Sequence, residues 1–133
     1  MNKIKGLALW HQFVESKDVQ KLEALIADDV VFHSPVVWTP QKGKNIVQMY
    51  LIAAGQIIAN DNFEYVRELS NHNFTVLEFK TIIDGISIEG VDMLTFNEEN
   101  ELVDMKVMIR PLKAVHIIHQ KMGEFLSKME ENK

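Results

Sequence analysis

Residues 86–96 read ISIEGVDMLTF, from Ile86 to Phe96. Alternate positions along this stretch are Ile86, Ile88, Gly90, Asp92, Leu94 and Phe96. Successive side chains of a β-strand point to opposite faces, so the spacing predicts a strand that holds Asp92 among large apolar neighbours. Gly90, inside the same strand, predicts a bulge or sharp bend. Bending turns one face of a sheet into a hollow, and Asp92 is expected to face into it.

Outward from this stretch, NFEYVRELS (62–70) and FTVLEFKTII (74–83) read as two preceding strands with a turn at Asn71–Asn73. The pair Asp84–Gly85 joins the second of them to ISIEGVDMLTF. NEENE makes another turn, and LVDMKVMIR (102–110) is a fourth long strand. Pro111 suits the start of a helix, where no backbone donor is needed. An amphipathic helix follows over 111–130 through Leu112, Val115, Ile118, Met122, Leu126 and Met129.

Upstream, residues 3–17 carry Ile4, Leu7, Ala8, His11 and Val14 on one helical stripe, with Trp10 at its edge. Asp18 is placed to cap a second helix, DVQKLEALIADD, along Val19, Leu22, Leu25 and Ile26, ending at Asp28–Asp29. VVFHSP reads as a short strand stopped by Pro35, and VVWTPQKG as a loop. Residues 44–59 read as a third helix along Ile46, Tyr50, Ala53, Ala54 and Ile57. Gly55 weakens that helix by about 1 kcal/mol relative to alanine. Helices first, then a hairpin-connected sheet, then a closing helix argue one α+β domain over 1–133, with helices on one face of a strongly curved antiparallel sheet.

Composition narrows the function. The chain of 133 residues has ordinary apolar (47%) and charged (25%) content and suits a single core. Its 14 Lys and Arg against 19 Asp and Glu give a charge of −5 with no basic cluster, which speaks against nucleic acid or an anionic membrane as partner. The absence of cysteine excludes disulfides, thiol catalysis and cysteine-held zinc, and fits a cytoplasmic protein. The apolar run GLALW is too short for a signal-peptide core, and no stretch approaches the roughly 20 apolar residues of a membrane span.

Two passages resemble a known family. DVQKLEALIADDVVFHSPV is similar to the "helix, D/E-D, strand, x-x-P" opening of the SnoaL-like and nuclear transport factor 2-like superfamily. DMLTFNEENELVDMKVMIRPL looks like its "D-x-x-x-F, turn, polar-V-x-x-M" passage. The resemblance covers nearly the whole chain and implies a cone, a curved antiparallel sheet wrapped around helices with an apolar pocket inside. Its members include ketosteroid isomerases, polyketide cyclases, dehydratases and binding-only adaptors, so fold alone does not settle function. In the isomerases a protonated aspartic acid lies in a D-x-x-x-F motif that matches Asp92–Phe96. Their base aspartate precedes the proline, where this chain has Ser34, and their first-helix tyrosine matches Trp10. The resemblance therefore keeps one of three functional positions. It also implies a homodimer through the outer sheet face, where Val91 and Met93 lie opposite the Asp92 side.

Asp92 is the candidate catalytic residue, because an apolar pocket raises a carboxyl pKa towards neutrality. The competing expectation is a buried carboxylate paired with Lys106 or Arg110, the latter also a candidate substrate contact. His33 either twists to the pocket rim or packs beneath the VVWTP loop; His11 either donates to Asp92 or is an ordinary core histidine. Trp10, Phe32, Trp38 and Tyr50 either wall a pocket, with Ser34 and the Tyr50 hydroxyl as polar contacts, or form plain core. His116 and His119 stand in H-x-x-H spacing without a third ligand, so no metal and no cofactor is expected. Two functions remain open. One is a cofactor-independent isomerase, cyclase or dehydratase using a strand carboxylate on a small apolar carbonyl compound. The other is a non-catalytic dimer binding a ligand or partner.

Overall fold

A computed structural model describes residues 5–131. Ile4, placed above on the first helical stripe, lies outside them. The chain runs α1 (Lys5–Ser16), α2 (Val19–Leu25), β1 (Ile26–His33), β2 (Gln41–Lys42), α3 (Lys44–Ile57), β3 (Glu64–Ser70), β4 (Phe74–Ile83), β5 (Ile86–Phe96), β6 (Leu102–Arg110) and α4 (Leu112–Glu131). No helix among the described residues is long and apolar enough to cross a membrane.

Local chemistry explains most of these boundaries. Asp18 caps α2 by accepting from the Gln20 amide at 3.0 Å. Asp84 and Gly85 both take positive φ, 50° and 78°, as a two-residue hairpin turn requires. Asn97 accepts from the amides of Glu99 and Glu101 and so closes the turn between β5 and β6.

The end of α2 differs from expectation. The helix stops at Leu25, and Ile26 already belongs to β1. Ile26 is fully buried and pairs with Leu102 of β6, a contact from across the chain that outweighs the local helical pattern. The inward stripe of α3 keeps Ala53 buried and Tyr50 and Ala54 on the cavity, but it also takes in Val47 and Leu51 and leaves Ile46 exposed. The loop before α3 carries the short strand β2, which was not anticipated.

The six strands form one open sheet in the order β2-β1-β6-β5-β4-β3. It is mixed rather than wholly antiparallel, because β1 pairs with β6 in parallel. Strands β3 to β6 form an antiparallel meander, with register shifts between Tyr65 and Arg67 and between Thr95 and Phe96. Such shifts bend a sheet.

At Gly90 an added β-carbon would collide with the ring of Phe79, which lies opposite it on β4. The missing side chain lets that ring fold over the strand.

On the concave face Leu77, Phe79, Leu94 and Val107 pack against Trp10 and Phe13 of α1, Leu22 and Leu25 of α2, and Val47 and Leu51 of α3. Each large apolar side chain buried this way contributes about 1.5–3 kcal/mol. A second cluster joins Ala114 and Ile118 of α4 to Ile83 and Ile88, which seats the last helix over one end of the sheet.

Candidate functional site

Alternation along β5 puts Ile88, Gly90, Asp92, Leu94 and Phe96 on the buried face. Asp92 is 5% exposed and stands opposite Leu77 on β4 and Val107 on β6. Its neighbours across the sheet are thus hydrocarbon on both sides.

Neither basic residue of the fourth strand reaches it. Register places Arg110 opposite Glu89, whose carboxylate it binds, and Lys106 opposite Met93, all on the outer face. Arg110 is therefore neither Asp92's partner nor a pocket contact. Strand alternation is the reason, since Ile109 occupies the inward position next to it.

The partner is Tyr65 of β3. Its hydroxyl donates to Oδ2 of Asp92 at 2.6 Å, and the indole Nε1 of Trp10 donates to that hydroxyl at 3.0 Å. The three side chains form a directional chain, Trp10 to Tyr65 to Asp92. Rings hold Tyr65 in place: Phe63 lies edge-on at 4.8 Å, His11 edge-on at 5.5 Å and Phe79 edge-on at 6.4 Å between centroids. Among the described residues no buried side-chain oxygen or nitrogen lacks a hydrogen-bond partner. With Oδ2 held by Tyr65, Oδ1 of Asp92 opens onto the cavity that Asp92 lines.

Burial raises the Asp92 pKa from 3.8 to about 7, because the charged form loses its water; the Tyr65 bond pulls the other way. The Tyr65 hydroxyl is pushed well above 10, first by burial and then by the carboxyl group beside it. Tyr65 consequently remains a proton donor, while Asp92 exchanges its proton near neutrality.

The cavity between the concave face and the helices has a volume of about 220 Å³. Trp10, Phe32, Ser34, Tyr50 and Asp92 all border it. Phe32 and Tyr50 stack at 5.7 Å, and Ser34 Oγ accepts from the Val36 amide at 3.1 Å, which leaves its proton available to a ligand.

Three other candidates lie elsewhere. His33 points away from Phe32, as strand alternation demands, and meets Asp104 at 3.1 Å on the outer side. His11 reaches past Tyr65 to Glu68 at 2.8 Å instead of Asp92. Trp38, at the tip of the loop between Pro35 and Pro40, is 97% exposed.

The sequence reading missed Tyr65. Phe63 and Tyr65 stand two residues apart in NFEYVRELS, and alternation continued one residue ahead of β3 assigns both rings to one face. That signal was present, but the partner of the hydroxyl depends on cross-strand register. His119 of α4, weighed above only as a metal ligand, also borders the cavity. Among the described residues no three His, Asp or Glu side chains gather as a metal site requires.

No protein-family model and no curated protein matches the chain. Solved structures do. A steroid delta-isomerase from Pseudomonas aeruginosa is 30% identical over 95% of this chain and 92% of its own, with a TM-score of 0.89. An uncharacterised bacterial protein with a cystatin-like fold from Silicibacter pomeroyi is 28% identical over 90% of this chain and 84% of its own, with a TM-score of 0.83. The epoxide hydrolase/cyclase-like enzyme SalBIII, of pyran ring formation in salinomycin, shares the fold at 13% identity, covering 80% of this chain and 88% of its own, with a TM-score of 0.64.

Proposed function

The chain belongs to the SnoaL-like and nuclear transport factor 2-like superfamily, and we propose that it is a cofactor-independent acid/base catalyst acting on a small, mostly apolar carbonyl compound. The observation that carries this reading is the state of Asp92. One carboxyl oxygen is held by Tyr65 and the other faces an apolar cavity. A neutral Asp92 donates from Oδ1 to a ligand oxygen. As negative charge grows on that oxygen and the proton shifts towards it, the Tyr65 bond to Oδ2 strengthens, because it favours the carboxylate. The carboxylate so formed takes a proton back from another atom of the same substrate. One residue thus serves as acid and then as base, and the proton balance closes without a second carboxylate. Isomerisation, dehydration and ring closure all have this form.

The similar isomerase supports the reaction class, but the details of this site differ. Ser34 stands where the resemblance puts the isomerase base, and no described ionisable group lies within bonding distance to activate its hydroxyl. Steroid delta-isomerisation by two carboxylates is therefore not the chemistry supported here. Ser34 favours a second reading, a pocket that binds its ligand without turning it over.

The test is a thermal-shift screen of neutral cyclic and aryl ketones against the native protein and Asp92→Asn. For the hits, deuterium uptake from D2O at the carbon next to the carbonyl is followed by NMR. Catalysis predicts exchange by the native protein that Asp92→Asn abolishes. Hits that bind in an Asp92-dependent way without exchange establish the binding reading instead, and hits indifferent to the substitution sink both.

The cysteine-free composition supports a cytoplasmic setting. On the outer sheet face Leu69, Ile82 and Met108 are exposed beside the Arg67–Glu78 and Glu64–Lys80 pairs. We read this face as the surface on which a second copy sits. Sedimentation of Met108→Glu should then show the monomer where the native chain shows a dimer, and a native monomer refutes it.

A further inference from the structure

The cavity does not end beneath α4. Ile118, Met122 and Leu126 recur every fourth residue and line it, as one helical face should. His119 and Gly123 line it as well, and the same two residues border a shallow groove on the outer side of the helix. That groove is otherwise polar: His116, Gln120, Glu124, Ser127 and Lys128. At one place, then, an apolar cavity and a polar groove share a wall.

Gly123 makes that wall thin. It sits inside a helix of 20 residues, where glycine costs about 1 kcal/mol relative to alanine. It does not take positive φ, so the backbone does not demand it. Nothing lies within 4 Å of the position its β-carbon would occupy, so packing does not demand it either. What the missing side chain leaves is a notch on the surface of the unbroken helix. His119, one turn earlier on the same edge and exposed, flanks it.

Size points the same way. A cavity of about 220 Å³ falls below the roughly 300–1,000 Å³ typical of sites that enclose a drug-sized ligand. A larger molecule reaching Asp92 must leave part of itself outside. The groove offers mostly donors, from His116, His119, Ser127 and Lys128, and its one carboxylate, Glu124, is already engaged by Gln120 at 3.2 Å.

We propose that the notch at Gly123 is a portal, and that the ligand has two ends: a compact apolar body whose carbonyl meets Asp92, and an acceptor-rich tail, such as a carboxylate, that passes His119 into the groove. The proposal rests on the reading of Asp92 given above and adds to it the class of molecule. His119 acts here as a specificity determinant for the tail.

Acetophenones with para-alkoxy chains of increasing length, each ending in a carboxylate, probe this directly, with plain acetophenone as the tailless reference. Dissociation constants are measured by calorimetry for the native protein, Gly123→Leu, His119→Ala and Asp92→Asn. The native protein should prefer the longer tails. The β-carbon of Gly123→Leu enters open space, so the variant should retain the helical circular dichroism and the native Tm, while its long-to-short affinity ratio falls about tenfold. His119→Ala should lower the same ratio. Asp92→Asn should weaken all members alike and leave the ratio intact. An unchanged ratio in Gly123→Leu overturns the portal while an Asp92 effect leaves the reading of the acid standing. A ratio that collapses in Gly123→Leu without any Asp92 effect keeps the portal and removes the acid. No length preference in the native protein refutes the proposal outright.

Discussion

Two carboxylates on adjacent strands meet opposite fates. Asp92 on β5 and Asp104 on β6 each bond one ring-bearing side chain, Tyr65 at 2.6 Å and His33 at 3.1 Å. Asp104 lies on the outer face with its side chain 40% exposed, and water shares in stabilising its charge. Asp92 lies on the inner face, where Leu77, Val107 and the aromatic wall replace that water. Its proton is therefore held to about pH 7. The lesson is that the same residue type becomes a chemical group or a surface ornament according to which side of a pleated sheet it occupies. An odd or even position in the strand decides that.

The contrast can be broken most forcefully by Asp92→Asn. Because the folded pKa of Asp92 is raised above its unfolded value, its neutral form stabilises the fold fully below about pH 4. That advantage is lost as pH rises towards about 7, an amount of roughly 4 kcal/mol. Urea unfolding across this window should show the native protein weakening relative to Asp92→Asn, which has no such titration. Parallel curves would mean that Asp92 is not the desolvated acid.

A smaller effect is expected for Tyr65→Phe. It strands the Trp10 indole N–H and removes the one side-chain donor to Asp92 among the described residues, at a cost of about 1–3 kcal/mol. Since that bond favours the carboxylate, the loss should grow above neutrality and the titration midpoint of Asp92 should move up, as carbon-13 NMR of the carboxyl would register. A midpoint that moves down contradicts the donor role.

Asp104→Asn sharpens the comparison from the other side. As a half-buried pair that solvent still reaches, His33–Asp104 should contribute about 1 kcal/mol or less, and that little should fade with added salt. A larger, salt-insensitive loss would show that the outer pair is more than a surface contact.

Legibility in the sequence followed how local the cause was. The four long strands and their turns appeared almost to the residue, because alternation, Asp84–Gly85 and Asn97 act within a few positions. The fate of Ile26 did not, because its partner Leu102 lies far along the chain and local periodicity continued the helix. The aromatic candidates divided in the same way. Trp10, Phe32 and Tyr50 sit on regular elements whose inward face is periodic, whereas Trp38 sits on a loop with no periodicity to orient it. His11 and His33 each found an acidic partner on a neighbouring strand, and only strand placement reveals which one.

Sequence alone determined that Asp92 would share a face with Ile88, Leu94 and Phe96, because strand geometry alternates side chains whatever the rest of the chain does. The partner of that carboxyl, the openness of its second oxygen and the notch at Gly123 were decided only by tertiary structure. Each depends on how strands register and curve and on where α4 lands. Those outcomes are set by packing between residues distant in the chain, and no local pattern encodes them.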